Sequence, residues 1–154
     1  MRTCWVFDHP AHVRLLAPFL RAGTASDVII ATDRHEIRQL MESSEGVLPR
    51  RQTVWVERPV GKGRFQTAWK RMRIVRQELK TAVKSGHRFE RIVTVGAPLE
   101  LRVAKKLGIP KRWYISDTEV NHLAHKLARN AATDAIFPTH WDESIDGTWL
   151  KTFE

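Results

Sequence analysis

Cysteine is scarce in this chain, which has 154 residues and only one cysteine, Cys4. A single cysteine cannot form a disulfide within the chain, so a small scaffold held together by disulfides is excluded and a reducing compartment is favoured. Because Cys4 lies in an apolar run, we expect its thiol to be buried in the core.

Long hydrophobic runs are also missing. No segment reaches the roughly 20 apolar residues that span a bilayer, and the amino terminus has no apolar stretch behind a basic leader. We therefore expect a cytoplasmic protein, with peripheral attachment to the inner face of the membrane as the alternative.

Two common signatures are absent as well. The chain contains neither the Gly-x-Gly-x-x-Gly fingerprint of dinucleotide sites nor the Gly-x-Ser-x-Gly nucleophile elbow of hydrolases.

Its composition, 42% hydrophobic and 28% charged, is typical of one globular domain. We predict a domain over residues 1–138, followed at 139–154 by a tail or the start of a linker to a second domain.

Short apolar runs alternate with amphipathic stretches, a pattern that indicates βα units around a parallel sheet. The runs are Cys4–Phe7, Val28–Ala31, Val54–Val56, Ile92–Val95, Trp113–Ile115 and Ala135–Phe137. The predicted helices are Val13–Leu20, Glu36–Glu42, Phe65–Val83, Leu99–Leu107 and Val120–Ala131. The fold class is therefore predicted to be α/β, a three-layer Rossmann-like parallel sheet of about six strands with helices on both faces.

Positive charge is concentrated in one segment. Nine basic residues and one acid lie between residues 62 and 88, so this segment carries eight of the nine net positive charges. Most of them fall on the predicted helix Phe65–Val83, whose apolar face, at spacings of three and four, includes Phe65 and Trp69. Three interpretations of these basic residues stay open: a solvated helix face, a patch that binds an anionic membrane, or a nucleic-acid site. The nucleic-acid site is disfavoured, because no nucleic-acid module is recognisable. The patch comprises Lys70, Arg71, Arg73 and Arg76.

Candidate site residues follow the strands, because ligands of open α/β sheets bind beyond the carboxyl ends of the strands. After the first strand, Asp8, His9 and His12 surround a predicted helix amino terminus that is able to hold an anion. The structural alternative is Asp8 as the helix cap with solvated histidines. After the fourth and fifth strands come Gly96, Ala97 and Pro98, and then Asp117, Thr118, Glu119 and Asn121.

A metal site is the weaker hypothesis for the histidines. The pairs His9/His12 and His122/His125 both have a His-x-x-His spacing after a strand end, so a shared metal is conceivable. The second pair lies in a predicted helix, where His125 is readily explained as a surface residue. We therefore predict neither a metal nor a cofactor.

Two segments, Trp5–Val13 and Ser116–Asn121, resemble the amino-terminal domain of a family of predicted bacterial and archaeal glycosyltransferases. That family has the two-domain GT-B architecture and is related to MurG and to the UDP-N-acetylglucosamine 2-epimerases. Gly96-Ala97-Pro98 matches a second, glycine-containing loop, and Glu119-x-Asn121 resembles the Glu-x-Asn of a third. The similarity extends to about Pro138, but His-Pro-Ala-His replaces the family's glycine-rich first loop.

The resemblance implies a glycosyltransferase domain that holds the acceptor, while a second domain or a separate chain binds the nucleotide-sugar donor. By resemblance, His9 or His12 is the general base or contacts the donor phosphates, and Glu119 belongs to the catalytic group. Asp8 and Asn121, with Glu119, contact sugar hydroxyls. Two alternatives stay open: a non-enzymatic basic module for nucleic acid or an anionic membrane surface, and a UDP-sugar epimerase-like domain.

Overall fold

Six strands alternate with five helices in the computed structural model, which describes residues 1–43, 52–57, 63–116 and 121–137. The strands are β1 (Thr3–Phe7), β2 (Val28–Asp33), β3 (Gln52–Glu57), β4 (Arg91–Val95), β5 (Lys111–Ile115) and β6 (Asp134–Ile136). The helices are α1 (Pro10–Ala22), α2 (His35–Ser43), α3 (Arg64–Lys84), α4 (Pro98–Lys106) and α5 (His122–Arg129). The tail predicted at 139–154 lies outside the described residues.

The strands form one parallel sheet in the order β3-β2-β1-β4-β5-β6. β1 is central, since Cys4 pairs with Val28 of β2 on one side and with Ile92 of β4 on the other. The order of strand addition reverses between β1 and β4, which opens a crevice at their carboxyl ends. The predicted Rossmann-like α/β class is confirmed.

Helices cover both faces of the sheet, because alternate side chains of a strand point to opposite faces. Trp5 and Phe7 pack in a cluster with residues of α1 and α2. Cys4 and Val6 pack in the opposite cluster, with residues of α3, α4 and α5. The expected burial of Cys4 is confirmed, and this burial raises the pKa of its thiol. No helix within the described ranges is long and apolar enough to cross a membrane.

The start of α1 differs from the structural alternative that we considered for Asp8. Pro10 occupies the first turn of α1, and the Nδ1 atom of His9 accepts a hydrogen bond from the Ala11 backbone N–H at 3.3 Å. His9 is therefore the cap of the helix, which leaves the Asp8 carboxylate available for other partners.

Helix α3 is rotated relative to the orientation that its apolar pattern predicts. Phe65 and Trp69, assigned to its apolar face, are 77% and 60% exposed. The stripe that α3 buries recurs at spacings of three and four and begins with two polar residues. It consists of Thr67, Arg71, Val75, Leu79 and Ala82. Phe65 and Trp69 therefore lie outside the buried stripe, whereas Arg71 lies inside it, paired with Asp8 after β1 and with Glu100 on α4.

Candidate functional site

A cleft of about 600 Å³ lies at the carboxyl edge of the sheet, where the strand order reverses. Its walls are the residues that end or follow β1, β2 and β4, the first turns of α3 and the residue before α5. The lining residues are Asp8, His9, His12, Thr32, Arg34, Thr67, Ala68, Arg71, Gly96 and Asn121. Most of them are polar, as expected of a site for a hydrophilic ligand.

A buried arginine organises the charges at this cleft. Arg71 Nη1 donates to Asp8 Oδ2 at 2.8 Å, and Arg71 Nε donates to Glu100 Oε1. Arg71 is 4% exposed and Glu100 is fully buried. Burial alone lowers the pKa of Arg71, but the charges of Glu100 and Asp8 raise it by more, so the net pKa lies above its ordinary value. The guanidinium therefore stays charged and restrains the Asp8 side chain.

The second oxygen of Asp8 faces a histidine. Asp8 Oδ1 lies 3.6 Å from Nδ1 of His12, which is only 8% exposed. At this distance the contact is an ion pair and not a hydrogen bond, and the carboxylate attracts a positive charge on the imidazole. The single positive charge of Arg71 offsets only one of the two negative charges on Asp8 and Glu100. One negative charge therefore remains to balance a positive charge on His12. We call Asp8, His12, Arg71 and Glu100 the charged cluster.

The two histidines of the first loop differ in their surroundings. His9 is exposed and caps α1, whereas His12 is buried beside Asp8. Their ring centroids are 5.6 Å apart, and both residues line the cleft. Of the two, His12 has the environment of a general base.

The loop after β4 contributes its glycine to the cleft. Gly96 has a φ of +61°, which favours glycine, and the space that a Cβ would fill is open. Ala97 is buried in the core cluster, and Pro98 is buried at the start of α4. Only Gly96 of these three predicted residues therefore lines the cleft.

Of the predicted site residues that follow β5, the structure describes only Asn121. Asn121 lines the cleft and directly precedes α5. Asp117, Thr118 and Glu119 lie outside the described residues, so their assignment stays a prediction.

The predicted basic patch loses one member. Assigning Arg71 to it is wrong, because Asp8 and Glu100 hold its guanidinium inside the protein. Lys70 Nζ lies 3.0 Å from Glu57 Oε2 in an exposed ion pair, and Arg73 and Arg76 are exposed on α3. The patch is thus reduced to Lys70, Arg73 and Arg76, and Glu57 offsets the charge of Lys70.

The histidine pairs do not form a metal site in the described part of the chain. No group of three or more His, Cys, Asp or Glu side chains there could hold a metal ion. His125, expected at the surface, is 2% exposed, and its Nε2 atom lies 2.9 Å from Ser116 Oγ. Its place is therefore structural, between the end of β5 and α5.

Four polar or charged residues at or beside the cleft are absent from the sequence-based prediction of the site. Thr32 and Arg34, at the end of β2 and just after it, would have emerged if the strand-end rule had been applied to every strand. Glu100 shares a helical face with apolar Ala97 and Leu101, and a carboxylate on such a face signals a buried partner. For Thr67 the sequence carries no comparable signal.

The sequence matches no protein-family model and no curated protein. Among solved structures, the chain is similar to a UDP-GlcNAc 2-epimerase from Neisseria meningitidis that was crystallised with UDP-GlcNAc. The TM-score is 0.67 at 14% identity, over 98% of this chain and 43% of that one. The chain thus spans less than half the length of this structural neighbour. At this identity, the likeness shows a shared Rossmann-like fold.

Proposed function

We propose that this domain is the acceptor-side half of a glycosyltransferase of the GT-B type, which uses a nucleotide sugar as donor. The charged cluster supports this proposal, since it places a histidine backed by a carboxylate at the switch point of the sheet. The donor would be held mainly by a second domain or subunit, which faces the same cleft.

In this mechanism His12 acts as the general base. An acceptor hydroxyl oxygen attacks the anomeric carbon of the donor, the bond from that carbon to the diphosphate oxygen breaks, and the hydroxyl proton passes to His12. Histidine suits this step because its ordinary pKa is near neutrality. Asp8 offsets the charge that His12 gains, Arg71 restrains Asp8, and Glu100 fixes Arg71 from the buried side.

The proposed substrate class has two supports, a structural likeness and a sequence resemblance. The structural neighbour was solved with UDP-GlcNAc bound, and it shares the fold over nearly the whole of this chain. The segment Trp5–Val13, which carries Asp8 and His12, also resembles the glycosyltransferase family described above. We assign Asn121 and the exposed backbone of Gly96 to contacts with sugar hydroxyls, together with Asp117, Thr118 and Glu119 by resemblance.

The test is sugar transfer by the protein together with its donor-binding domain or subunit, using UDP-sugars as donors. Replacing His12 with Ala should lower kcat by about 10²- to 10⁴-fold, the usual contribution of a general base, without unfolding the protein. His87→Ala is the matched control, because His87 is exposed and follows α3 at the opposite edge of the sheet. Unchanged transfer by His12→Ala, or tight binding of NAD(P) to the chain, would contradict the proposal.

An epimerase is the competing enzyme, favoured by the activity named for the structural neighbour. The same His12–Asp8 pair could exchange a proton at a sugar carbon. Analysis of products separates the two: epimerisation changes the donor sugar without an acceptor, whereas transfer consumes an acceptor and releases the nucleotide.

A membrane-facing role is a second proposal, supported by the exposed aromatics of α3. Phe65 and Trp69 lie one turn apart, with Arg73 exposed a turn further on, a combination suited to an anionic interface. Sedimentation with phosphatidylcholine vesicles, with and without phosphatidylglycerol, tests it. The double change Phe65→Ser/Trp69→Ser should abolish binding to the anionic vesicles, and Leu123→Ser, at another exposed apolar residue, should not. Equal binding by both variants would refute this role.

A further inference from the structure

We propose that Thr32, Arg34 and Thr67 form a phosphoryl-binding subsite within the cleft, beside the charged cluster. The proposal rests on the proposed function insofar as it assumes that the substrate occupies this cleft. Its own basis is a set of buried polar atoms that lack hydrogen-bond partners.

The three residues share an unusual property. Thr32 is fully buried and Thr67 is nine-tenths buried, yet neither Oγ1 atom has a hydrogen-bond partner among the described residues. The Nε atom of Arg34 is also buried and has no partner there. Buried polar groups are nearly always hydrogen-bonded, because leaving one without a partner costs free energy. Since all three line the same cleft, a bound ligand accounts for them together.

The backbone brings these residues to one side of the cleft. Phe7 pairs with Ala31, so Asp8 and Thr32 follow next to each other on neighbouring strands. Thr32 has the same strand parity as Ile30, which packs in the cluster on the α3 side of the sheet. On α3, Thr67 lies one turn before Arg71. The candidate subsite therefore adjoins the Asp8–Arg71 pair.

The charges favour an anion at this place. The charge of Arg71 is already matched by two carboxylates, those of Asp8 and Glu100. The case of Arg34 differs, because its neighbour in sequence, Asp33, accepts hydrogen bonds of 2.6 and 2.8 Å from Arg38 instead. Asp33 therefore does not neutralise Arg34, whose buried Nε atom has no hydrogen-bond partner among the described residues. The first turn of α3 contains no acid, and the positive end of its helix dipole lies about one turn before Thr67.

A phosphoryl group matches these donors. A guanidinium and two hydroxyls supply several N–H and O–H donors from β2, its following residue and α3, and the oxygens of a tetrahedral phosphoryl group can accept from all of them. In a glycosyl-transfer site this group belongs either to the nucleotide diphosphate or to a phosphorylated sugar.

The test measures binding of pyrophosphate, UDP and glucose 1-phosphate to the purified chain by isothermal titration calorimetry. Arg34→Gln should raise the Kd for pyrophosphate by about tenfold or more, the usual effect of losing a hydrogen bond to a charged group. Thr32→Val and Thr67→Val keep the side-chain shape and should weaken binding in the same direction. Without ligand, these two variants should melt at a higher temperature, since each removes a buried hydroxyl that has no partner.

Two control variants separate this subsite from general effects. Thr94→Val removes another fully buried hydroxyl without a partner in the described structure, at a position that does not line the cleft. It should raise the melting temperature and leave the Kd for pyrophosphate unchanged. Arg73→Gln removes an exposed charge from α3 and should also leave this Kd unchanged.

The proposal is overturned if pyrophosphate does not bind, or if Arg34→Gln and Arg73→Gln weaken binding equally. Selective loss of UDP binding in Arg34→Gln would identify a nucleotide phosphate as the ligand, and selective loss of glucose 1-phosphate binding would identify a sugar phosphate. Because calorimetry measures binding and not sugar transfer, its result can fail or succeed independently of the proposed function. Loss of turnover in His12→Ala with unaltered pyrophosphate binding in Arg34→Gln would sink the subsite alone.

Discussion

Replacing Arg71 with methionine removes the cation at the centre of the charged cluster. Glu100 is fully buried and Arg71 is 4% exposed, so the variant strands a carboxyl group in the protein interior. Breaking a buried ion pair by removing one partner costs about 3–5 kcal/mol. The Asp8 contact adds at most about 1 kcal/mol, because the Asp8 side chain is 38% exposed to water.

Urea unfolding followed by circular dichroism measures this loss. With a slope of about 2 kcal/mol/M, the unfolding midpoint should fall by about 2 M. Arg73→Met, two residues along the same helix but exposed, is the matched control and should change stability by no more than about 0.5 kcal/mol. The double variant Arg71→Met/Glu100→Leu should regain most of the loss, because an apolar pair replaces the stranded charge.

The outcome that refutes this reasoning is a small loss in the single variant. If Arg71→Met cost less than about 1 kcal/mol, the pair with Glu100 would not be buried as described. A double variant as unstable as Arg71→Met would instead show that lost packing, and not the stranded carboxyl group, causes the destabilisation.

Three further predictions concern the rest of the described structure. Burial raises the pKa of the Cys4 thiol, so Ellman's reagent should label it only as the protein unfolds; rapid labelling in native buffer would contradict its burial. Gly96→Ala should cost about 1–2 kcal/mol in urea unfolding because of the positive φ, and an unchanged midpoint would refute that strain. The hydrogen bonds from Arg38 lower the pKa of Asp33, so their stabilisation is complete above about pH 4 and is lost as pH falls through the folded-state pKa. Arg38→Met should therefore lose more stability at neutral pH than in acid, and a loss independent of pH would argue against this linkage.

The fold was largely predictable because its signals are local. Six short, nearly continuous apolar runs mark the six strands, and three of these strands, β1, β2 and β4, are buried almost throughout. The strand-end rule then located Asp8, His12, Gly96 and Asn121, because the carboxyl ends of parallel strands share one edge of the sheet.

The orientation of α3 was not predictable in this way. Its helical wheel carries aromatic residues on one side, Phe65 and Trp69, and polar residues on another, and apolar content alone favours burying the aromatics. The partners that draw Arg71 inward, Asp8 and Glu100, lie 63 and 29 residues away in the chain. No local pattern contains that pairing.

The sequence by itself determined the α/β class, the strands and helices, the burial of Cys4 and the loops that carry Asp8 and His12. These follow from apolar periodicity and from the chemistry of neighbouring residues. Only the tertiary structure decided that His9 caps α1, that Arg71 is buried between two carboxyl groups, and that Thr32, Arg34 and Thr67 line one cleft with polar atoms that lack partners. Such contacts depend on which distant side chains meet when β1, β2, α3 and α4 pack together.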